Sequence, residues 1–192
     1  MKIFETERLE IRRLKSMDRE HFAELFTDPK VLELIPQTAF TENQITDRFN
    51  KSLNLKLSDL NDQKCAFGIF KKGETELIGL ALFLINEENE KEMGYRFREK
   101  YWGKGYGTET TKGMLEYYFQ QMNVSKVTAD VNIANVGSVK ILDKFMKPVS
   151  EFFNERDNCT DRRYELEKNN WLQQCITAIT ADSTTSESTR NC

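Results

Sequence analysis

The sequence predicts a mixed α/β domain, with an antiparallel front half followed by a β-α-β-α unit that is parallel where a helix connects two strands. Three observations support this fold class. Two β-rich runs flank the turn KKGE, a glycine-rich segment separates a strand from a helix, and strand and helix patterns alternate from there onward. The chain has 192 residues. We expect one domain over residues 1–172 and a mobile Ser/Thr-rich tail over residues 173–192.

The first part of the chain is predicted to hold one strand and two short helices. Residues 8–14 alternate apolar and polar side chains, which is typical of a half-buried strand. Residues 16–28 then place Phe22, Leu25 and Phe26 on one helical face, and an Asp-Pro pair ends that helix. Pro29 is well suited to the first turn of the next helix.

A third helix is predicted to begin after Thr41. Thr41 and Gln44 have the spacing of a capping box, in which each side chain accepts a hydrogen bond from the backbone of the other residue. The apolar positions that follow are spaced by four and indicate one buried face. They are Ile45, Phe49, Leu53 and Leu57.

The second part is predicted to be rich in strands. Residues 65–85 form two β-rich runs around KKGE and predict a hairpin, and residues 90–97 predict a third strand. Apolar positions 115, 118, 119 and 122 then indicate a helix. The remaining predicted elements are a strand over 126–133, a helix over 135–145 that ends before Pro148, and strands over 149–155 and 162–168.

Three glycines, Gly103, Gly105 and Gly107, lie between a predicted strand and a predicted helix. The first N–H groups of a helix have no intrahelical partner, and glycines allow an anion to approach them closely. Lys104 adds a positive charge. The segment GKGYGT does not match GxxxxGK[ST], because no Lys-Ser/Thr pair follows the last glycine, and it does not match GxGxxG, because residue 108 is Thr. Two interpretations remain, a site for an anion such as a pyrophosphate and a tight turn that binds nothing.

Composition limits the classes of partner. The net charge of −3 argues against a nucleic-acid binder. No apolar run is long enough to cross a bilayer, and acidic residues occupy the N-terminal region where a signal peptide has its apolar core. The four cysteines form no CxxC pair, which gives zinc or dithiol chemistry no support. We expect a cytoplasmic protein that binds no metal, nucleic acid or membrane.

The segment YWGKGYGTE (residues 101–109) resembles the acetyl-CoA pyrophosphate loop of the GNAT superfamily of N-acetyltransferases. It is most similar to the RimJ/RimL-like branch, which acetylates ribosomal-protein N-termini. ETERLEIRRL, DPKVLELI and NVGSVKILDKF resemble the same branch, so the similarity extends from about Glu7 to Leu172. Trp102 departs from the superfamily's Gln or Arg but is familiar in this branch. Met146 and Lys147 replace the branch's usual Gly-Phe pair.

The resemblance implies the GNAT fold, a mixed central sheet of about six to seven strands with helices on both faces. It also implies acetyl-CoA as the cosubstrate. The pantetheine arm is expected along the main chain of a strand that splays from its neighbour, and the pyrophosphate on the glycine segment. The implied cofactor-binding residues are Gly94, Tyr95, Arg96, Phe97, Gly103, Lys104, Gly105, Tyr106, Gly107, Thr108 and Asn135. A backbone N–H of the strand is expected to hold the thioester oxygen.

The same resemblance implies two catalytic side chains. Glu92 is the candidate base, acting directly or through water, and Ser138 the candidate acid for the departing thiolate. Each also fits a plain structural role, a solvated charge for Glu92 and a helix residue for Ser138. Asn135 fits both a coenzyme A contact and an ordinary helix N-cap. Tyr95 and Asn132 are weaker candidates for contacts to the substrate.

We therefore expect an N-acetyltransferase that transfers the acetyl group directly to a primary amine in a ternary complex. A protein N-terminal α-amine is one acceptor class, because at pH 7 roughly 15% of such groups are neutral, against about 0.04% of lysines. The alternatives are a small-molecule amine (polyamine, amino acid or aminoglycoside), a non-catalytic CoA-binding module, or a protein without a ligand. Residues 41–62 are expected to form part of the acceptor wall. A monomer or a homodimer is expected.

Overall fold

The computed structural model describes residues 1–35 and 37–188. Its centre is an eight-stranded mixed sheet of order β1-β2-β3-β4-β5-β6-β8-β7. The strands are β1 (Lys2–Glu5), β2 (Leu9–Arg12), β3 (Cys65–Lys71), β4 (Leu77–Ile85), β5 (Lys91–Phe97), β6 (Lys126–Asn132), β7 (Lys147–Asn154) and β8 (Cys159–Glu167). The predicted fold class is therefore confirmed, with one strand more than expected. The additional strand is β1, whose two apolar residues, Ile3 and Phe4, are adjacent and so give no alternating pattern.

Six α-helices accompany the sheet in the described part of the chain. They are α1 (Arg19–Thr27), α2 (Pro29–Leu34), α3 (Glu42–Leu53), α4 (Tyr106–Glu116), α5 (Val136–Leu142) and α6 (Lys168–Ser188). A π-helical turn, Tyr117–Gln121, continues α4, and a 3₁₀ turn, Leu57–Asn61, follows α3. None of the helices in the described ranges has the length and apolar character that a membrane crossing requires.

Three features noted in the sequence have defined positions in the structure. Leu57 is not on the buried face of α3, because that helix ends at Leu53; Leu57 lies in the next turn and is 49% exposed. Met146 and Lys147 need no glycine, since neither has a positive φ. The expected boundary between residues 172 and 173 falls inside α6, so the division into domain and tail stays a prediction; residues 189–192 lie outside the described residues.

The capping box at the start of α3 is confirmed. The Thr41 hydroxyl accepts a hydrogen bond from Gln44 N at 3.4 Å, and Gln44 Oε1 accepts one from Thr41 N at 2.9 Å. These two bonds satisfy backbone groups that the helix itself leaves unpaired. They fix the start of α3, which packs over the sheet beside α1.

Apolar side chains fill both faces of the sheet. On one face, here called the α1/α3 face, Phe22, Leu25, Ile45 and Phe49 pack on Leu80 and neighbouring strand residues. On the other, the α4/α5 face, a larger cluster joins the sheet to α4, α5 and the start of α6. Adjacent residues of a strand point to opposite faces. Each strand residue near the site therefore belongs to one of these two faces.

The strand pairing changes from antiparallel to parallel between β5 and β6. These are neighbouring parallel strands, as predicted for strands joined by a helix, and the remaining strand pairs are antiparallel. Only Glu92 and Thr128 are in register across the β5–β6 pair. Beyond Glu92, β5 stays paired with β4 but not with β6, so the two strands separate. The resulting gap interrupts the sheet next to residues 93–97.

Candidate active site

A cleft of about 1490 Å³ opens where β5 and β6 separate. Its walls come from α1, α3, the middle strands, α5 and the edge strand β7. Residues between 41 and 55 contribute part of one wall, and that residues 41–62 hold the acceptor stays a prediction. Side chains singled out from the sequence lie together along the cleft, and they are Glu92, Tyr95, Arg96, Asn132, Asn135 and Ser138.

Glu92 is the last residue of β5 that pairs with β6 before the two strands separate. Its side chain shares the α1/α3 face with Leu84 of β4 and Thr128 of β6, its partners in register. Burial raises the pKa of Glu92 to about 7, and the nearby negative charge of Asp130 adds to the effect. A carboxyl group with this pKa exchanges protons readily near neutral pH. The side chain of Glu92 is therefore not the solvated surface charge that the neighbouring acidic residues suggested.

Asp130 is held by a bidentate ion pair. Its two carboxylate oxygens accept hydrogen bonds from Arg163 Nε and Nη2, both at 2.9 Å. Arg163 also pairs with Glu88 on the outer side. This arrangement fixes the negative charge of Asp130 beside Glu92. Glu92 itself forms no ion pair within the described ranges. Neither Asp130 nor Arg163 could be predicted from the sequence, because their contact joins two strands and residues 33 positions apart.

Tyr95 lies on the opposite face of β5 from Glu92 and packs against the α4/α5 cluster. Its hydroxyl is buried and has no hydrogen-bond partner in the part of the chain that the structure describes. Burial raises the pKa of Tyr95, and the hydroxyls of Ser138 and Thr111 counteract that rise in part. Ser138 and Tyr95 therefore lie close together, from different elements, next to the gap between the strands.

Asn135 is the N-cap of α5. Its side-chain oxygen accepts a hydrogen bond from Ser138 N at 3.1 Å, so the capping role weighed from the sequence is confirmed. The side-chain nitrogen donates to the carbonyl of Leu34 at 3.4 Å, which links α5 to the end of α2 across the cleft. The cap also orients Ser138, because it fixes the first turn of α5.

The glycine loop (residues 103–108) contains glycines with two different functions. Gly103 and Gly105 have φ values of 69° and 79°, a left-handed conformation that other residues rarely adopt. Gly105 is also the N-cap of α4 and offers no side chain to the helix N–H groups. Gly107 has an ordinary conformation, but a Cβ there would lie 2.8 Å from Ile141 Cδ1. The third glycine therefore permits α4 to pack against α5.

The space around the loop fits an anion. A Cβ at Gly103 would meet nothing within 4 Å, and the α4 N–H groups have no side-chain cap. Lys104 is exposed and lies over the ring of Tyr101 at 5.4 Å. The loop itself does not line the cleft. It begins one short turn after Phe97, so β5 connects the two regions directly.

Contacts that the sequence did not reveal brace this loop. Trp102 Nε1 donates a hydrogen bond to the carbonyl of Phe97 at 2.9 Å, which ties the loop to the end of β5 and gives the unusual tryptophan a role. Glu109, in the first turn of α4, accepts hydrogen bonds from Thr6 Oγ1 and from Arg8 N and Nε. The N-terminal segment therefore anchors the helix that follows the loop. This contact could not be predicted from the sequence, because more than 100 residues separate Glu109 from Thr6 and Arg8.

Comparison with known proteins places this geometry in a family. The family model described as "Acetyltransferase (GNAT) domain" matches residues 8–145. An uncharacterized N-acetyltransferase, p20, from Bacillus licheniformis is 31% identical over 146 residues, which are 74% of this chain and 80% of that protein.

Two solved structures have the same fold at low sequence identity. RimL, a ribosomal L7/L12 α-N-protein acetyltransferase in complex with coenzyme A, has a TM-score of 0.71 and 14% identity, and the match covers 88% of this chain and 99% of that one. Spermidine N-acetyltransferase from Vibrio cholerae, in complex with CoA and spermine, has a TM-score of 0.70 and 17% identity, covering 86% and 98%. These likenesses show the shared fold, and the two proteins act on acceptors of different classes.

Proposed function

The chain belongs to the GNAT acetyltransferase family, and from this membership we propose that it transfers the acetyl group of acetyl-CoA directly to a primary amine in a ternary complex. The observation that carries the proposal is the separation of β5 from β6 beside Glu92, with the glycine loop at the far end of β5. Acyl transfer from coenzyme A needs a place for the thioester and a place for the phosphates, and these two features can supply them. Assignment to the RimJ/RimL-like branch and a cytoplasmic location are part of this proposal.

Acetyl-CoA supplies an activated acetyl group, and this chain supplies its position. We assign the pantetheine arm to the main chain of Gly94–Phe97, where β5 has no neighbouring strand on the β6 side. The pyrophosphate is assigned to the backbone N–H groups of the glycine loop, because the N-terminus of α4 is uncapped and the loop glycines leave room for an anion. A backbone N–H of β5 then stabilises the negative charge that develops on the thioester oxygen.

Glu92 is proposed to accept the proton of the attacking amine, directly or through water. With its pKa raised to about 7 by burial and by Asp130, it is close to an α-amino group, whose pKa is near 8. Transfer from an α-ammonium to Glu92 therefore costs only about 1 kcal/mol, whereas transfer from a lysine-type ammonium costs about 4–5 kcal/mol. This difference favours an α-amine acceptor, such as a protein N-terminus, over a polyamine.

The departing thiolate needs a proton, and we propose Ser138 as its donor. The buried hydroxyl of Tyr95, which lies beside Ser138 on the same side of β5, is positioned to share this role. Both hydroxyls adjoin the gap that the thioester must enter. Asn135 holds Ser138 in place through the N-cap bond and is proposed to contact coenzyme A as well.

The test is a turnover screen that detects the free thiol released from acetyl-CoA. Peptides with a free N-terminus, amino acids, polyamines and aminoglycosides serve as acceptors, and Glu92→Gln as a matched variant of nearly equal size. We expect turnover with α-amines and a large loss in the variant. A protein that binds CoA but acetylates none of these amines would instead be a non-catalytic binding module.

A further inference from the structure

The side chain of Arg96 is not used in the proposed reaction, although it lines the cleft. It is 7% exposed and forms no ion pair with any residue that the structure describes. Its hydrogen bonds go to neutral acceptors, the carbonyl of Leu25 at 2.9 Å and Gln37 Oε1 at 3.2 Å. Arg96 Nε, although buried, has no partner in the described ranges. A guanidinium so far from water is costly unless an anion compensates it.

Arg98 shows how this fold satisfies a buried arginine when the role is structural. It lies two residues along the chain and is also 7% exposed. Two carboxylates pair with it, Glu24 at 2.5 Å and Glu76 at 2.6 Å, and the carbonyl of Leu77 accepts a further bond. The difference between the two arginines is therefore the missing anion at Arg96.

The surroundings of Arg96 strengthen the same conclusion. Gln37, whose Oε1 accepts from Arg96, has a buried side-chain nitrogen without a partner among the described residues, and it also lines the cleft. Phe26 lies under the guanidinium at 4.4 Å. Arg48 lines the same wall and its positive charge acts on Arg96. Two buried N–H donors without a partner therefore lie near a second cation, and no acidic side chain in the described ranges pairs with Arg96, Gln37 or Arg48.

We propose that Arg96, with Gln37, binds a carboxylate of the acceptor, so that the enzyme prefers amines that carry a carboxylate several bonds away. The inference rests on the proposed function and names the acceptor class for the same site. A planar guanidinium fork matches a carboxylate, and the Gln37 amide offers the second donor.

The geometry of β5 sets the distance between the amine and the carboxylate of an acceptor molecule. Glu92, Gly94 and Arg96 are at every second position of β5 and therefore lie on the same face of the sheet, the α1/α3 face. Their cross-strand neighbours on β4 are Leu84, Leu82 and Leu80. The Cα atoms of Glu92 and Arg96 are about 13 Å apart at the usual rise of a strand. Gly94 between them has no side chain, which leaves the path along the strand open. An acceptor can therefore place its amine near Glu92 and its carboxylate near Arg96.

The experiment compares matched acceptors and matched variants. One series consists of peptides with alanine first and glutamate or glutamine second, all amidated at the C-terminus. In a second series the glutamate or glutamine is moved to the third or fourth position, so that the α-amine stays the same while its distance from the carboxylate increases. Wild type, Arg96→Met, Gln37→Met and the control Arg98→Met are compared by the KM and kcat for each acceptor and by the KM for acetyl-CoA.

We expect wild type to prefer each carboxylate over its amide by about 10- to 100-fold in kcat/KM, mostly through KM. Arg96→Met should abolish this preference by raising the KM for the carboxylate acceptors much more than the KM for acetyl-CoA, and Gln37→Met should reduce it. Arg98→Met should lower stability but keep the preference. Equal use of carboxylate and amide by wild type, together with turnover, would overturn this inference and leave the proposed function intact.

A binding measurement covers the case in which no acceptor is turned over. Thermal unfolding is followed with each carboxylate and each amide, in wild type and in Arg96→Met, because a ligand that binds the folded state raises its melting temperature. Stabilisation of wild type alone, by carboxylates alone, supports the carboxylate site even where the proposed reaction fails. Absence of that difference refutes the site.

Discussion

The ring of Tyr95 lies against Gly107, so the strand that borders the cleft and the helix that follows the glycine loop pack directly on each other. A Cβ at Gly107 would lie 3.5 Å from Tyr95 Cε2, an ordinary contact, but 2.8 Å from Ile141 Cδ1. One glycine therefore sets the spacing of β5, α4 and α5. Through these elements it links the loop assigned to the pyrophosphate with the hydroxyls of Tyr95 and Ser138.

Gly107→Ala is expected to change stability by less than about 1 kcal/mol, because the added methyl displaces only the terminal Cδ1 of Ile141 and alanine's better helix propensity offsets part of that strain. The variant Ile141→Val removes the Cδ1 atom that the methyl would strike. The double variant should therefore be more stable than the sum of the two single effects predicts. Denaturant unfolding of all four proteins measures this coupling, and simple additivity would contradict the steric explanation.

The second prediction concerns the pH dependence of turnover. Glu92 acts as a base only when ionised, and its pKa is raised to about 7 by burial and by Asp130. With an α-amine acceptor, kcat should fall below pH 7, by about tenfold for each further unit. Glu92→Gln should lower kcat by about 10²- to 10⁴-fold and remove this limb of the profile. A variant that keeps the wild-type profile would show that another group, or water alone, takes the proton.

The same carboxyl group gives a prediction for stability with the opposite sign. The pKa of Glu92 is raised in the folded protein, so ionising it costs folding free energy above its unfolded-state pKa of about 4.5. Wild type should lose about 1–3 kcal/mol from this group as the pH rises from about 4.5 through 7. Glu92→Gln resembles the neutral form. It should therefore be more stable than wild type at pH 8 and similar at pH 4, and a variant that is less stable at pH 8 would contradict the assigned burial.

Local sequence signals predicted the elements, while contacts distant in sequence decided the chemistry. Some features depend on a few neighbouring residues and could be predicted from their local pattern. They are the Thr41–Gln44 capping box, the hairpin at KKGE and the turn at Gly103. Arg96 and Arg98 look alike in sequence. They differ because Glu24 and Glu76, brought by a helix and a hairpin, reach only Arg98. Partners of this kind cannot be inferred from spacing along the chain.

The last prediction separates the two reasons for a glycine at position 103. Gly103 (φ 69°) and Gly73 (φ 78°) both have left-handed backbones, and a Cβ at either position would meet nothing within 4 Å. Gly73 lies in the β3–β4 hairpin turn, away from the glycine loop. Alanine at either position should therefore cost a similar amount, about 1–2 kcal/mol, through backbone strain alone.

Only the substitution in the loop should also affect the cosubstrate. If the pyrophosphate approaches the backbone at Gly103, a methyl group there obstructs it, and Gly103→Ala should raise the KM for acetyl-CoA by about tenfold or more. Gly73→Ala should leave that KM unchanged at equal loss of stability. Steady-state kinetics and thermal unfolding of the two variants provide both numbers. Equal KM values would mean that Gly103 serves the turn and not the anion, and the phosphate position assigned to the loop would have to be moved.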